Sequence, residues 1–248
     1  MTYIPSNLLA KAKSTGVKMI SGNDFKADFD KRLHALFRLA VSEIKAIYNN
    51  GLGVVSACSF GKDSGCVLLA HLQAHEEYLA ENPLVEPKSL PFIVTNIDTG
   101  VENCAIAMFT KYESERLKAH FDAKGWKLEY HTSTPPLSQS WASLFLSAKK
   151  LFSTPKGSND CSVILKIDSN QRLIRSLMDK YGDTKFVTLL GSRLSESAAR
   201  GNSIRKFNND VNIEEAMVGA KKGLVYMPIR EWGYDDVMGL LMRASNQG

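Results

Sequence analysis

Apolar and polar positions divide the chain into stretches of two alternating periods. From Asp24 to Tyr48, residues Phe25, Phe29, Leu33, Leu36, Phe37, Ala40, Ile44 and Ile47 recur at spacings of three and four. That spacing predicts a long amphipathic helix, with Gly51 as a stop nearby. A short apolar run, Gly53 to Cys58, then reads as a first strand, followed by a helix from about Ser64 to Leu79. Asn82-Pro83 and Pro87 mark a loop before a second strand, Phe92 to Asn96. A helix from about Asn103 to Lys124 ends at Gly125, and a third strand covers Lys127 to His131. Ser133 to Asn159, with Pro135, Pro136, Pro155 and Gly157, reads as an insertion around a short helix near Leu137 to Leu151. A helix Ser162 to Tyr181 leads to a strand Phe186 to Leu190. Near the end, Leu224 to Met227 reads as a short strand before a helix starting at Tyr234.

Strands alternating with helices imply βαβ units, and so an α/β fold with a doubly wound parallel sheet. The chain divides on this reading into an N-terminal helical segment, 1–50, packed on an α/β nucleotide-binding domain, 51–248. Ligands of such sheets bind beyond the C-terminal ends of the strands. The segments there are Ser59–Ser64, Asp98–Glu102, Thr132–Pro136 and Gly191–Arg200.

Composition narrows the class but not the activity. With 248 residues, 44% hydrophobic and 23% charged, the chain fits one large soluble domain or one domain with an appendage. No apolar run approaches membrane-span length and no signal-peptide pattern opens the chain, so a cytoplasmic location without membrane partners is expected. A net charge of +5 suits nucleotide or nucleic-acid partners, though many unrelated enzymes share it. Four cysteines stand at 58, 66, 104 and 161 without Cys-x-x-Cys spacing, which gives no zinc or thioredoxin motif. Cys58 and Cys66 read as small buried packing residues, whereas Cys104 and Cys161 are placed where exposure is possible. His71 and His75 lie four apart on one helical face with no third metal ligand, and are expected in an ordinary surface role.

The densest chemistry lies in Val54–Leu69, where a strand-like run enters the polar turn Ser59-Phe60-Gly61-Lys62-Asp63-Ser64 and a helix-like run leaves it. Backbone N–H groups at such a turn and at the new helix N-terminus point at one spot, where the helix dipole favours an anion. Lys62 adds a full charge, and Ser59 and Ser64 add hydroxyl donors. A plain strand–turn–helix connection needs fewer such groups. The Walker A pattern fails, because Ser56 stands where its first glycine belongs and Asp63 follows the lysine in place of Ser or Thr.

Three further constellations stand near predicted strand ends or helix starts. Asp98 and Glu102 could accept ribose hydroxyls or ligate magnesium, with Thr99 against nucleotide; an Asp-Thr-Gly turn followed by a helix cap explains the same residues equally well. Gly191-Ser192-Arg193-Leu194-Ser195-Glu196-Ser197-Ala198-Ala199-Arg200 offers Arg193 and Arg200 as a clamp on phosphate or sulfate, with Glu196 orienting a guanidinium. The plainer alternative is a surface helix start with an Arg/Glu pair. Cys161, at a predicted helix N-terminus with Lys166 nearby, has the setting of a thiol with lowered pKa.

The loop Ser-x-Gly-Lys-Asp-Ser resembles the pyrophosphate loop of the ATP-pyrophosphatase (PP-loop), or adenine nucleotide α-hydrolase-like, superfamily, whose usual form is Ser-Gly-Gly-x-Asp-Ser/Thr. Phe60 stands in place of the first of those glycines. Asp98-Thr99-Gly100, Gly-x-Arg-x-x-Glu-Ser-x-x-Arg at 191–200, Cys-Ser-x-x-Leu-Lys at 161–166 and Pro-Ile-x-x-Trp-x-x-x-Asp-Val at 228–237 resemble segments of the phosphoadenylylsulfate (PAPS) reductase-like branch. Within it the chain is most similar to the sulfur-incorporating enzymes of DNA phosphorothioation, of the Dnd and Ssp type.

The resemblance covers about residues 50 to 240. It implies a cleavage of ATP, bound with Mg2+, to AMP and pyrophosphate that activates an oxygen for sulfur incorporation. It makes Lys62, Asp63, Cys161, Arg193 and Arg200 the catalytic set. Ser59, Phe60, Gly61, Lys62, Asp63, Ser64, Asp98, Thr99, Gly191 and Glu196 would bind the nucleotide. A cysteine desulfurase, DNA and other phosphorothioation subunits would be partners. Asp160-Cys161 in place of a Cys-Cys pair argues against an iron–sulfur cluster and against the alternative of a PAPS reductase. A non-catalytic nucleotide-sensing or DNA-binding subunit is the other alternative. Relatives usually continue into a cysteine-bearing region, so the 51–248 domain is either compact or truncated at its C-terminus.

Overall fold

The computed structural model describes residues 22–149, 163–196, 213–218 and 221–246. The chain divides into two compact units, Met1–Arg38 and Leu39–Gly248. Helix α1 (Gly22–Asn49) begins in the first unit and ends in the second. The second unit carries β1 (Gly53–Ala57), α2 (Lys62–Glu81), β2 (Phe92–Ile97), α3 (Cys104–Lys124) and β3 (Leu128–Ser133). A short 3-10 turn (Leu137–Gln139) and α4 (Trp141–Phe145) follow. A π-helical turn (Val163–Ile167) runs directly into α5 (Asp168–Tyr181), and then come β4 (Phe186–Leu189), β5 (Glu214–Val218), β6 (Lys221–Tyr226) and α6 (Tyr234–Asn246).

The strands form one sheet in the order β3-β2-β1-β4-β6-β5. The first five are parallel neighbours, and β5 closes the edge antiparallel to β6. The fold is therefore Rossmann-like α/β, with a mixed sheet where an all-parallel one was expected. The hairpin β5–β6 escaped the sequence pattern because Glu214-Glu215 opens an edge strand with no apolar alternation. The expected insertion helix, Leu137 to Leu151, is shorter: a 3-10 turn and one helical turn and a half reach only Phe145. The expected helix from Ser162 is described from Val163, where it is a π-helical turn, and residues 150–162, which include the rest of the insertion, lie outside the described residues.

Side-chain alternation puts two layers of core on the sheet. Val55, Ile93 and Phe186 face α5 through Ile174, Leu177 and Met178. Cys58, Phe92 and Val94 face α3 through Leu117 and Phe121. Asn103 caps α3 by accepting from Ala105 N–H, and Gly125 ends it at φ 65°, a left-handed position that favours glycine. Glu129 on edge strand β3 accepts from Lys180 Nζ (2.7 Å) and Tyr181 Oη (2.6 Å), which ties β3 to α5.

His71 and His75 are fully buried, which corrects the expected surface role. A polar chain runs through the core: Ser56 Oγ lies 2.7 Å from His71 Nδ1, and Tyr48 Oη lies 2.6 Å from His71 Nε2 and 3.3 Å from His75 Nδ1. His71 also stacks on Phe92 at 3.9 Å between ring centroids. The spacing of four marked a shared helical face correctly, but the sequence does not show that Tyr48 and Ser56 wait on the other side. Burial holds the His71 imidazole well below its ordinary pKa and lowers that of His75 to about 4.

Both imidazoles are thus neutral in the folded state while the unfolded chain protonates them near pH 6.5. Their contribution is complete above that pH and is lost as pH falls toward 4. Urea unfolding should show stability falling by about 1 kcal/mol per histidine between pH 7 and pH 5.5. His75→Phe, which keeps the ring contacts of a residue whose Nε2 has no hydrogen-bond partner, should remove about half of that slope.

Candidate active site

The order of the strands places a topological switch between β1 and β4. The chain builds outward from β1 through β2 to β3, then returns to build on the other side through β4. A crevice opens beyond the C-terminal ends of adjacent strands at such a point. Two loops meet there, 58–61 after β1 and 190–196 after β4.

The first loop is held by its own serines. Ser64 Oγ accepts from Ser59 N–H (3.2 Å), lies 3.2 Å from Ser59 Oγ, and donates to the Gly61 carbonyl (3.2 Å). Ser59 Oγ accepts from Gly61 N–H (3.4 Å), and Phe60 N–H donates to Cys58 Sγ (3.3 Å). Burial pushes the Cys58 thiol up to about 11, so it stays protonated near neutral pH. Gly61 is the N-cap of α2 and supplies no side-chain cap. The first-turn N–H groups of Lys62, Asp63 and Ser64 therefore form an open anion-favouring terminus.

Phe60 adopts φ 54°, the left-handed region in which a side chain is strained by roughly 1 kcal/mol or more. The ring is held by packing against Tyr130 at 6.4 Å between centroids.

The second loop approaches the first through its backbone. A Cβ on Gly191 would lie 2.9 Å from the Ser64 nitrogen and 3.0 Å from the Asp63 carbonyl carbon, so only glycine fits. Beyond it, Arg193 is buried, 3% exposed, and its Nε donates to Asp63 Oδ1 at 2.7 Å. Arg193 Nη1 donates to Ser195 Oγ (2.9 Å) and to the Trp232 carbonyl (3.3 Å). The other Asp63 oxygen accepts from Lys62 Nζ at 2.8 Å, with Lys62 itself exposed. Asp63 thus couples an inner fixed cation to an outer accessible one.

Leu194 N–H donates to the Arg230 carbonyl, and Ile229 and Trp232 are buried, so the Pro-Ile-x-x-Trp segment is the support of this loop. Glu196 is exposed, with its N–H on the Arg193 carbonyl. Arg200 and Cys161 lie outside the described residues.

A cavity of about 420 Å³ adjoins the first loop on the α5 side of the sheet. Ala57, Cys58, Ser59, Thr95, Thr188 and Leu190 form part of its floor and wall, and Asn170 and Gln171 come from α5. Its largely apolar lining with a few polar groups suits a flat, partly polar ring system. Apart from Ser59, sequence reasoning missed these residues, although Thr95 and Thr188 were visible as polar interruptions near the ends of buried strands.

Asp98 makes the turn its sequence allowed, accepting from Gly100 N–H at 2.8 Å, while its side chain stays exposed. Thr99 is buried and donates to Glu102 Oε1 at 3.1 Å. Among the described residues no three His, Cys, Asp or Glu side chains form a metal cluster. Both Asp63 oxygens are engaged in ion pairs, one with Lys62 and one with Arg193. Among the described residues no helix is long and apolar enough to cross a membrane.

No protein-family model matches the chain, and no curated protein matches it in sequence. Solved structures do match in fold. Yeast FAD synthetase (Fad1) in complex with FAD is 13% identical, with a TM-score of 0.51 over 91% of this chain and 61% of that one. Candida glabrata FMN adenylyltransferase in complex with FMN and the ATP analogue AMPCPP is 13% identical, with a TM-score of 0.49 over 85% of this chain. The chain spans 57% of that second neighbour. At 13% identity the likeness to yeast Fad1 supports the Rossmann-like α/β architecture alone.

Asp63→Ala should strand the buried Arg193 charge and lower stability by about 3 kcal/mol. The double variant Asp63→Ala/Arg193→Met should recover most of that loss in thermal unfolding.

Proposed function

We propose that the chain is an ATP-using enzyme that breaks the bond between the α- and β-phosphates. The observation that carries this reading is the meeting of the β1–α2 loop with Gly191 and Arg193 at the switch point, beside a cavity sized for a nucleoside. An acceptor oxygen attacks the α-phosphorus, the adenylyl group is transferred, and pyrophosphate leaves with the electron pair of the broken bond. Lys62 and the first-turn N–H groups of α2 hold the departing pyrophosphate, while Asp63 and Arg193 position the loop. Electrostatic stabilisation of this kind is usually the largest catalytic contribution.

For the acceptor, the sequence resemblance supports an oxygen of the DNA backbone, activated for replacement by sulfur from a cysteine desulfurase. Cys161 would carry the sulfur and Arg200 would neutralise phosphate charge. A second reading has its own support: the protein of similar fold that holds FAD is an FAD synthetase. There the acceptor would be a phosphate oxygen of FMN, and no sulfur chemistry would be needed.

With ATP and Mg2+, the expected products are AMP or an adenylylated acceptor together with pyrophosphate. ADP and free phosphate as primary products would refute the reading. Lys62→Ala should lower pyrophosphate release by about a hundredfold. Parallel reactions with FMN, and with DNA plus desulfurase and cysteine, identify the acceptor by which one accelerates release.

A further inference from the structure

Two charged side chains of the cavity come from opposite sides of it. Glu102 stands at the end of the loop after β2, and Lys166 stands on the π-helical turn that leads into α5. Their Oε1 and Nζ are 3.3 Å apart, and both are partly exposed, at 30% and 60%. The pair therefore crosses the solvent side of the cavity and not its floor. Glu102 is set in place from behind by the buried Thr99 hydroxyl at 3.1 Å. Lys166 sits on a turn with one residue more than an α-helix accommodates, a local irregularity frequent at functional sites. Leu165 beside it is buried and anchors the turn, while Ile167, half exposed, lines the cavity.

We propose that Glu102 and Lys166 form a latch over the cavity mouth, opening to admit the nucleoside part of the ligand and closing again behind it. The inference rests on the nucleotide reading above. An exposed ion pair is weak, so the latch opens often and slows passage only modestly. Because it is closed in both the empty and the filled states, it sets the rates of exchange and leaves the affinity unchanged. That separates it from residues that touch the ligand, whose loss weakens binding mainly through faster release.

The test uses a neutral probe, adenosine fluorinated on its base, so that the phosphate loop contributes no charge attraction. Fluorine NMR line shapes give the association rate, the release rate and Kd together. Lys166→Met should raise both rates about two- to fivefold with Kd unchanged, and Glu102→Gln, whose retained oxygen still accepts from Thr99 and from Lys166, should raise them less. The double variant should match Lys166→Met alone, because that change already breaks the pair. The charge swap E102K/K166E should restore the slow exchange. A weakened Kd with unchanged association would show ligand contact and overturn the latch, as would rates equal to those of the unaltered protein. Failure of every form, the unaltered one included, to bind the probe would instead overturn the nucleoside reading of the cavity.

Discussion

The buried ion pair between Arg193 and Asp63 is the constraint on which the candidate site depends. A guanidinium so enclosed is costly to desolvate, and the cost is offset only while its partners stay in place. Those partners come from distant parts of the chain: Asp63 in the first turn of α2, Ser195 within the loop after β4, and the Trp232 carbonyl before α6. One side chain therefore makes three segments mutually dependent. The close approach of Gly191 to the Asp63–Ser64 backbone adds a steric requirement at the same joint. Together they fix the direction in which the N-terminus of α2 points.

This division of labour changes the meaning of the charged residues. Read in isolation, Arg193 and Lys62 are two cations near a phosphate. In the fold, Arg193 is enclosed and Lys62 is accessible, and Asp63 touches both. Arg193 holds Asp63 and the loop in place, whereas Lys62 has the exposure to meet a ligand directly. The cavity lies on the α5 side of the sheet and touches the same loop at Ser59. A nucleotide spanning both would present its ring system to the cavity and its phosphates to α2.

The parts of the molecule legible in the sequence were those where one local rule decides. The apolar runs at Gly53, Phe92 and Phe186 gave strands, and Gly125 with Asn103 bounded α3 within a residue. The polar turn at 59–64 stood out because no buried connection needs that many donors. What escaped depended on partners far away in the chain. Tyr48 and Ser56 bond both ring nitrogens of the buried His71, and Tyr48 also reaches Nδ1 of His75, and nothing local to α2 announces that. Arg193 carries the same lesson, since its burial is set by Asp63 and by the turn before α6. The strand Glu214–Val218 was hidden because an edge position relaxes the alternation by which strands are recognised.

Phe60 joins these themes. A phenylalanine in a left-handed conformation persists only where the surroundings over-determine it. Here its N–H is held by Cys58 Sγ, its ring by Tyr130, and the residues that follow by the Ser59–Ser64 bonds. The side chain packs toward the α3 side of the sheet with Cys58 and Tyr130, away from the cavity on the α5 side. Its effect on a ligand must run through the backbone: the ring clamps a loop that glycine would leave freer. Rigidity at this point fixes the aim of the main-chain N–H donors at the start of α2, on which the proposed anion binding depends.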